Sequence, residues 1–218
     1  MNYSELVAEI QSYTENQFST ADINTFIAQA EQRIYNTVQL PALRKNVVGV
    51  ATINNKYLTC PSDWLATYSI AVIDGTGVYK YLLDKDVNYL REAYPAPTSL
   101  GIPKYYALFG PQLALPTELS FIIAPTPDTT YGLELHYYYY PESIVTAGTS
   151  WLGDNYDPVL FYGAMREAML FMKGEADLVG YYDQKYSEAL NQLKRLGDGL
   201  ERSDAYRNGQ TRIPNTAL

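Results

Sequence analysis

The chain holds one imidazole, His136, and one thiol, Cys60. Nucleophilic catalysis needs a base within hydrogen-bond reach of the nucleophile and a third group that orients the base. For His136 with Ser143, Ser150 or Cys60 the sequence shows neither. Strand alternation over Tyr131 to Tyr140 places Leu133, Leu135, Tyr137 and Tyr139 on one face and His136 with Tyr138 on the other, so His136 is expected to be structural. A single cysteine excludes an intramolecular disulfide and a multi-cysteine zinc site. The carboxylate pairs Glu175 with Asp177 and Asp84 with Asp86 lack the spacing of a cation-binding loop. Asp74-Gly75-Thr76-Gly77 lies between predicted strands and opens no helix that could stabilise a phosphate, which makes it a hairpin turn. No catalytic, metal-binding or cofactor-binding residue is assigned.

Glu167 stands out because, beside Arg166, it interrupts the apolar run from Val159 to Met172. A carboxylate survives burial only with partners, so Glu167 is expected to pair with a cation such as Arg33, or to face a subunit boundary. The same interruption leaves the run short of the roughly 20 apolar residues that a bilayer span needs, so it reads as a core helix. Tyr137 to Tyr140 belong to an excess of 22 tyrosines. Such rings, each with one hydroxyl, suit partly wet contact surfaces. Stacking on nucleic acid would require interleaved Lys and Arg, and Tyr131 to Pro141 has no basic residue besides His136, so a strand edge or subunit interface is expected. The formal charge of −8 disfavours nonspecific DNA binding and adhesion to anionic membranes. The start, Met1 to Leu6, lacks the basic and apolar regions of a secretory signal, so synthesis in the cytoplasm is expected.

Two kinds of structure must position these residues. A chain of 218 residues can bury about 70% of its unfolded surface and needs neither disulfide nor metal to fold as one large or two small domains. Leu6, Val7 and Ile10 begin one helical face, and Ile23, Phe26 or Ile27, Ala30, Ile34 and Val38 continue on a second helix with Ser19 or Thr20 as its cap. Leu40-Pro41 ends that helix. From Lys45 to about Tyr140 the texture is β-rich. Predicted strands are Val47 to Ile53, Tyr57 to Cys60, Tyr68 to Ile73, Val78 to Leu82, Lys104 to Phe109, Gln112 to Leu115, Leu119 to Ile123 and Tyr131 to Tyr140, with a helical insert from Asp84 to Tyr94. After Trp151, Asp154 or Asn155 can cap a helix with Pro158 in its first turn, and a second helix follows a joint around Gly174 to Gly180. The expected fold class is α+β. A helical bundle from both chain ends (1–43 and 151–196) carries an inserted antiparallel β module (44–150), a small sandwich or barrel, and an extended C-terminal tail (197–218).

The order of several sequence words resembles the head-to-tail adaptor proteins of tailed bacteriophages, especially short-tailed ones. These are Phe26-Ile27-Ala28-Gln29-Ala30-Glu31-Gln32-Arg33-Ile34 with Leu43-Arg44, then Pro61-Ser62-Asp63-Trp64, then Pro103-Lys104-Tyr105-Tyr106 to Gly110. Pro125 and Leu133 to Tyr138 lead into Pro141, and Trp151-Leu152-Gly153-Asp154-Asn155-Tyr156 precedes Leu160, Tyr162-Gly163-Ala164, Glu167-Ala168, Phe171, Tyr182, Tyr186 and Ala189. The resemblance runs from about residue 3 to residue 196. It implies a structural virion protein at the head-tail junction, made in the host cytoplasm and assembled as a twelvefold ring beneath the portal protein. The ring would lengthen the DNA channel, let DNA pass without specific binding, and dock a tail tube or nozzle protein and tail fibres. The family carries no catalytic residues or cofactors.

Within that frame Arg33, Trp151, Glu167 and Phe171 are expected to pack the ring-forming helices. Beyond Gly197 large apolar residues are scarce and charges cancel, so the free tail is expected to be disordered and to order on contact. Tyr206 and Ile213 would anchor it to the portal or a neighbouring subunit, with Arg207 and Arg212 meeting acidic groups. The alternative is a virion β-sandwich module that binds carbohydrate through Trp64 and the tyrosines, and a hydrolase ranks third.

Overall fold

The computed structural model describes residues 1–96, 98–111 and 119–208, with side chains through Leu200. In chain order its elements begin with α1 (Tyr3–Thr14), α2 (Thr20–Thr37), β1 (Arg44–Ala51), β2 (Tyr57–Thr59), β3 (Trp64–Ile73), β4 (Tyr79–Tyr81) and β5 (Leu83–Asp84). They continue with α3 (Val87–Ala93), β6 (Tyr105–Leu108), β7 (Ser120–Ala124), β8 (Tyr131–Tyr139), α4 (Ile144–Ala147), α5 (Trp151–Asn155), α6 (Asp157–Phe171) and α7 (Ala176–Asn208). The chain is α+β and divides into a helical unit, Met1–Leu43 with Pro141–Leu218, and a β unit, Arg44–Tyr140.

Local chemistry starts the first two helices. Asn2 accepts from the Glu5 N–H and the Glu5 carboxylate accepts from the Asn2 N–H, both at 2.9 Å, so two orphan helix donors are satisfied reciprocally. Ser19 caps α2, as the sequence predicts. The helix ends at Thr37, before the predicted Leu40-Pro41 stop, and Pro41–Leu43 form a 3-10 turn instead. The cap predicted at Asp154 or Asn155 is replaced: Ser150 caps the short α5, and Pro158 lies in the first turn of a separate α6. Leu6, Ile10, Ile23, Ile27, Ile34, Leu160 and Met165 are buried, together with Tyr182, Tyr186, Ala189 and Leu193 of α7.

The tail expectation requires correction over residues 197–208, which continue α7 as a helix rather than an extended strand of chain. Glycine weakens helices, yet Gly197 lies within α7. In the structure it extends the buried stripe of Ala189 and Leu193, since a Cβ there would sit 2.9 Å from the Leu40 side chain. Residues 209–218 lie outside the described residues, as does the predicted strand Gln112 to Leu115.

Two four-stranded sheets build the β unit, in the orders β1-β8-β3-β4 and β2-β7-β6-β5. They are not closed into a barrel. Their facing sides bury Ala51, Cys60, Ile70, Val72, Leu82, Tyr106, Phe121, Ile123, Leu133, Leu135 and Tyr137 as a sandwich core. The opposite side of the second sheet packs Ala107, Ile122 and Ala124 against Leu90 of α3. One pair departs from the antiparallel expectation: β5 runs parallel to β6. The predicted insert at Asp84 to Tyr94 is in fact β5 followed by α3 with Asp86 as its cap, the crossover that a parallel pair requires.

Candidate assembly surfaces

Within the helical unit, the structure brings Arg33 and Glu167 together. The Arg33 guanidinium lies 2.7 Å from the Glu167 carboxylate, whose side chain is 11% exposed against 40% for Arg33. Arg166 reaches the same carboxylate at 3.4 Å and Asp183 at 2.5 Å. One ionic chain therefore links α2, α6 and α7. A half-exposed pair alone contributes about 1 kcal/mol or less, and a shared network holds its geometry better. Trp151 takes no part in this network: it opens α5, half-buried, and its carbonyl accepts from the Asn155 side chain. Phe171 is 57% exposed and packs edge-on to Phe18 and tilted against Phe26, leaving an aromatic surface at the end of α6. Tyr206 and Arg207 belong to the last turns of α7, with side chains outside the described residues, where Arg212 and Ile213 also lie.

Sequence reasoning missed Glu31, which is 4% exposed. Its carboxylate accepts from the Ser143 hydroxyl at 2.5 Å and the Ile144 N–H at 2.9 Å, at the start of α4. Burial pushes its pKa up, and these two hydrogen bonds offset that only in part. The available signal was spacing, because Glu31 stands four residues after Ile27 and three before Ile34, inside the apolar stripe.

In the β unit the tyrosine run is divided among environments. It does not form a strand edge, since β8 lies between β1 and β3. Tyr137 points into the core and donates to Asp63 at 2.8 Å, while Tyr138 accepts from Arg44 at 2.7 Å on the opposite face. The Arg44 guanidinium also sits 3.8 Å from the centre of the Tyr68 ring. Lys45 bridges to Asp63 at 2.6 Å. Burial pushes Asp63 up, and hydrogen bonds from Lys45 and Tyr137 outweigh it, leaving its pKa below the ordinary value. Trp64 packs edge-on to Phe121 and donates to Thr67, so its ring is committed to the sandwich.

His136 contacts Glu134 at 2.8 Å, and Asn46 donates to the same carboxylate oxygen at 2.8 Å. Hydrogen bonds from His136, Asn46 and Tyr79 hold Glu134 below the usual carboxylate range. Among the described residues no serine or cysteine is hydrogen-bonded to His136. Ser143 and Ser150 instead serve Glu31 and helix α5, and burial pushes the Cys60 thiol up to about 12. Also among the described residues, no three His, Cys, Asp or Glu side chains cluster as metal ligands, and no helix is long and apolar enough to cross a membrane.

A cleft of about 400 Å³ opens between the sheets beneath β1, lined by Val47, Gly49, Leu58, Cys60, Phe121 and Leu133. The β1 strand above it is exposed over most of its length. An ion-linked helical unit and a sandwich whose end strand β1 is exposed among the described residues are the equipment of a structural assembly protein, built to make contacts. The sequence matches the model of the SU10 adaptor protein family over residues 1–213, and the chain belongs to that family. It is a phage adaptor, a structural component of the virion at the head-tail junction. No curated protein matches the chain.

Proposed function

We propose that this chain assembles as a twelvefold ring beneath the portal protein, lengthens the DNA channel, and docks a tail tube or nozzle protein and tail fibres. The observation that carries the reading is the adaptor-family match over residues 1–213. Physical features support it. The ionic chain from Arg33 through Glu167 and Arg166 to Asp183 ties three helices into a stiff wall, which suits a contact repeated around a closed ring. A net charge of −8 per copy repels phosphate, so DNA can pass without being held. Tyr206 and Arg207 at the end of α7, with Arg212 and Ile213 beyond it, are the proposed contacts to the portal or a neighbouring subunit. The inward packing of Trp64 favours the adaptor over a glycan-binding module. Electron microscopy of the purified protein mixed with its portal tests the reading. The expected image is a ring of twelve copies on one end of the portal, and protein that stays free of a saturating amount of portal refutes it.

A further inference from the structure

The β unit has two opposite edges, and their chemistry differs. On one side β1 ends the first sheet and β2 ends the second; on the other side β4 and β5 do so. An edge strand left uncovered is a template for pairing with another chain, and proteins usually blunt it with charge, proline or a covering element. Here β1 is eight residues long and reads Arg44-Lys45-Asn46-Val47-Val48-Gly49-Val50-Ala51, with its apolar centre exposed. Its register with β8 places Asn46, Val48 and Val50 opposite His136, Glu134 and Gly132, on the outer face of the sheet. Val48 is 69% exposed. At the far edge Tyr79 and Tyr81 pair with Ile73 and Ala71, which the β3–β8 register puts opposite Gly132 and Glu134 on that same outer face. Tyr81 is 67% exposed, and Val78 and Leu83 beside β4 are exposed as well.

Two further observations select the occupant. The first is direction. Every pairing in the β1-β8-β3-β4 sheet is antiparallel, so its two end strands run in opposite directions. A second copy in the same orientation therefore brings its β1 antiparallel to β4, the more stable arrangement. The second is charge. Residues 44–63 carry three cations and one anion, net +2, whereas residues 74–86 carry two cations and three anions, net −1. Two β1 edges facing one another would juxtapose like charge, and β1 facing the β4 edge would not. Complementary edges at opposite sides of one body give a heterologous contact, the kind that closes into a ring.

We propose that neighbouring copies of this chain join their β units edge to edge, with β1 of one copy pairing antiparallel with β4 of the next. Val48 and Val50 then meet Tyr79 and Tyr81 across the seam. The inference rests on the ring reading above and assigns it a surface. With only three residues in β4, a single seam is weak, and repetition around a closed ring makes it effective.

Cysteine cross-linking in assembled rings tests it. The double variant Val48→Cys/Tyr81→Cys should give an oxidation ladder of dimers, trimers and larger species, while either single variant gives none. Tyr79→Cys in place of Tyr81→Cys covers the neighbouring register, and Cys60 is buried and stays in place. Val48→Lys should lower the yield of closed rings several-fold while the free protein keeps its circular dichroism spectrum. Rings of normal size that show no ladder with either pair overturn the edge contact and leave the ring reading standing. Dimers formed by Val48→Cys alone overturn it in favour of a symmetric β1–β1 contact. If no ring forms with wild-type protein, both readings fall.

Discussion

Glu167 illustrates how one carboxylate can join two helices directly and a third through Arg166. Replacing it with lysine would set a third cation beside Arg33 and Arg166, both of which approach its present position. Breaking a fully buried pair costs about 3 to 5 kcal/mol. Because Arg33 is 40% exposed, water recovers part of that, and Glu167→Lys is expected to cost roughly 2 to 3 kcal/mol in a urea titration. Glu167→Gln, which keeps shape and one acceptor, should cost about 1 kcal/mol. Equal stability for the Lys variant and wild type would show that the network holds nothing. Glu31 leads to a pH prediction of opposite character. Its folded pKa is raised above the ordinary carboxylate value of the unfolded chain, chiefly by burial. Between those two values the folded chain holds a proton that the unfolded chain has released, so the Glu31 contribution to stability falls as pH rises through the window. Glu31→Gln should remove that slope and gain on wild type above it, while Asp63 and Glu134, both depressed, keep their own loss toward acid in both proteins. Parallel stability curves for the two proteins from pH 4 to 8 would contradict the assignment.

At the scale of elements, the helical unit depends on close approach as much as on apolar area. A Cβ on Gly163 of α6 would lie 3.0 Å from the Ala30 Cβ of α2 and 3.3 Å from the Tyr186 ring of α7. Gly163→Val is therefore expected to cost about 1 to 3 kcal/mol through overpacking, despite the better helix propensity of valine. Adding Ala30→Gly should return part of that loss, although glycine within a helix costs about 1 kcal/mol by itself. Strict additivity of the two changes in a double-mutant cycle would place the clash elsewhere. The same logic accounts for Gly197, whose missing side chain leaves room for Leu40 against α7.

For the whole molecule, the division at Arg44 and Tyr140 carries a prediction about folding. The β unit is continuous in sequence and has its own core from Ala51 to Tyr137, so residues 44–140 expressed alone should unfold cooperatively with urea, as a single domain does. A fragment without a cooperative transition would make the helical unit a requirement for the β fold. Much of this architecture is written in local sequence. Apolar spacing locates α1, α2, α6 and most of α7, β-rich runs between turn residues locate β1 to β4 and β6 to β8, and the isolated charge in an apolar run points to Glu167 with Arg33. These signals are legible because caps, periods and turns involve residues a few positions apart. Three other features depend on contacts that span the chain. Glu31 is buried because Ser143, 112 residues away, meets it; the tyrosine run is split because β8 sits between two other strands; and Gly197 of α7 is buried where Leu40, far away in sequence, packs against it. Sequence spacing reports which face a residue takes on its own element, and only the packing of distant elements decides which face finds a partner and which edge is left uncovered.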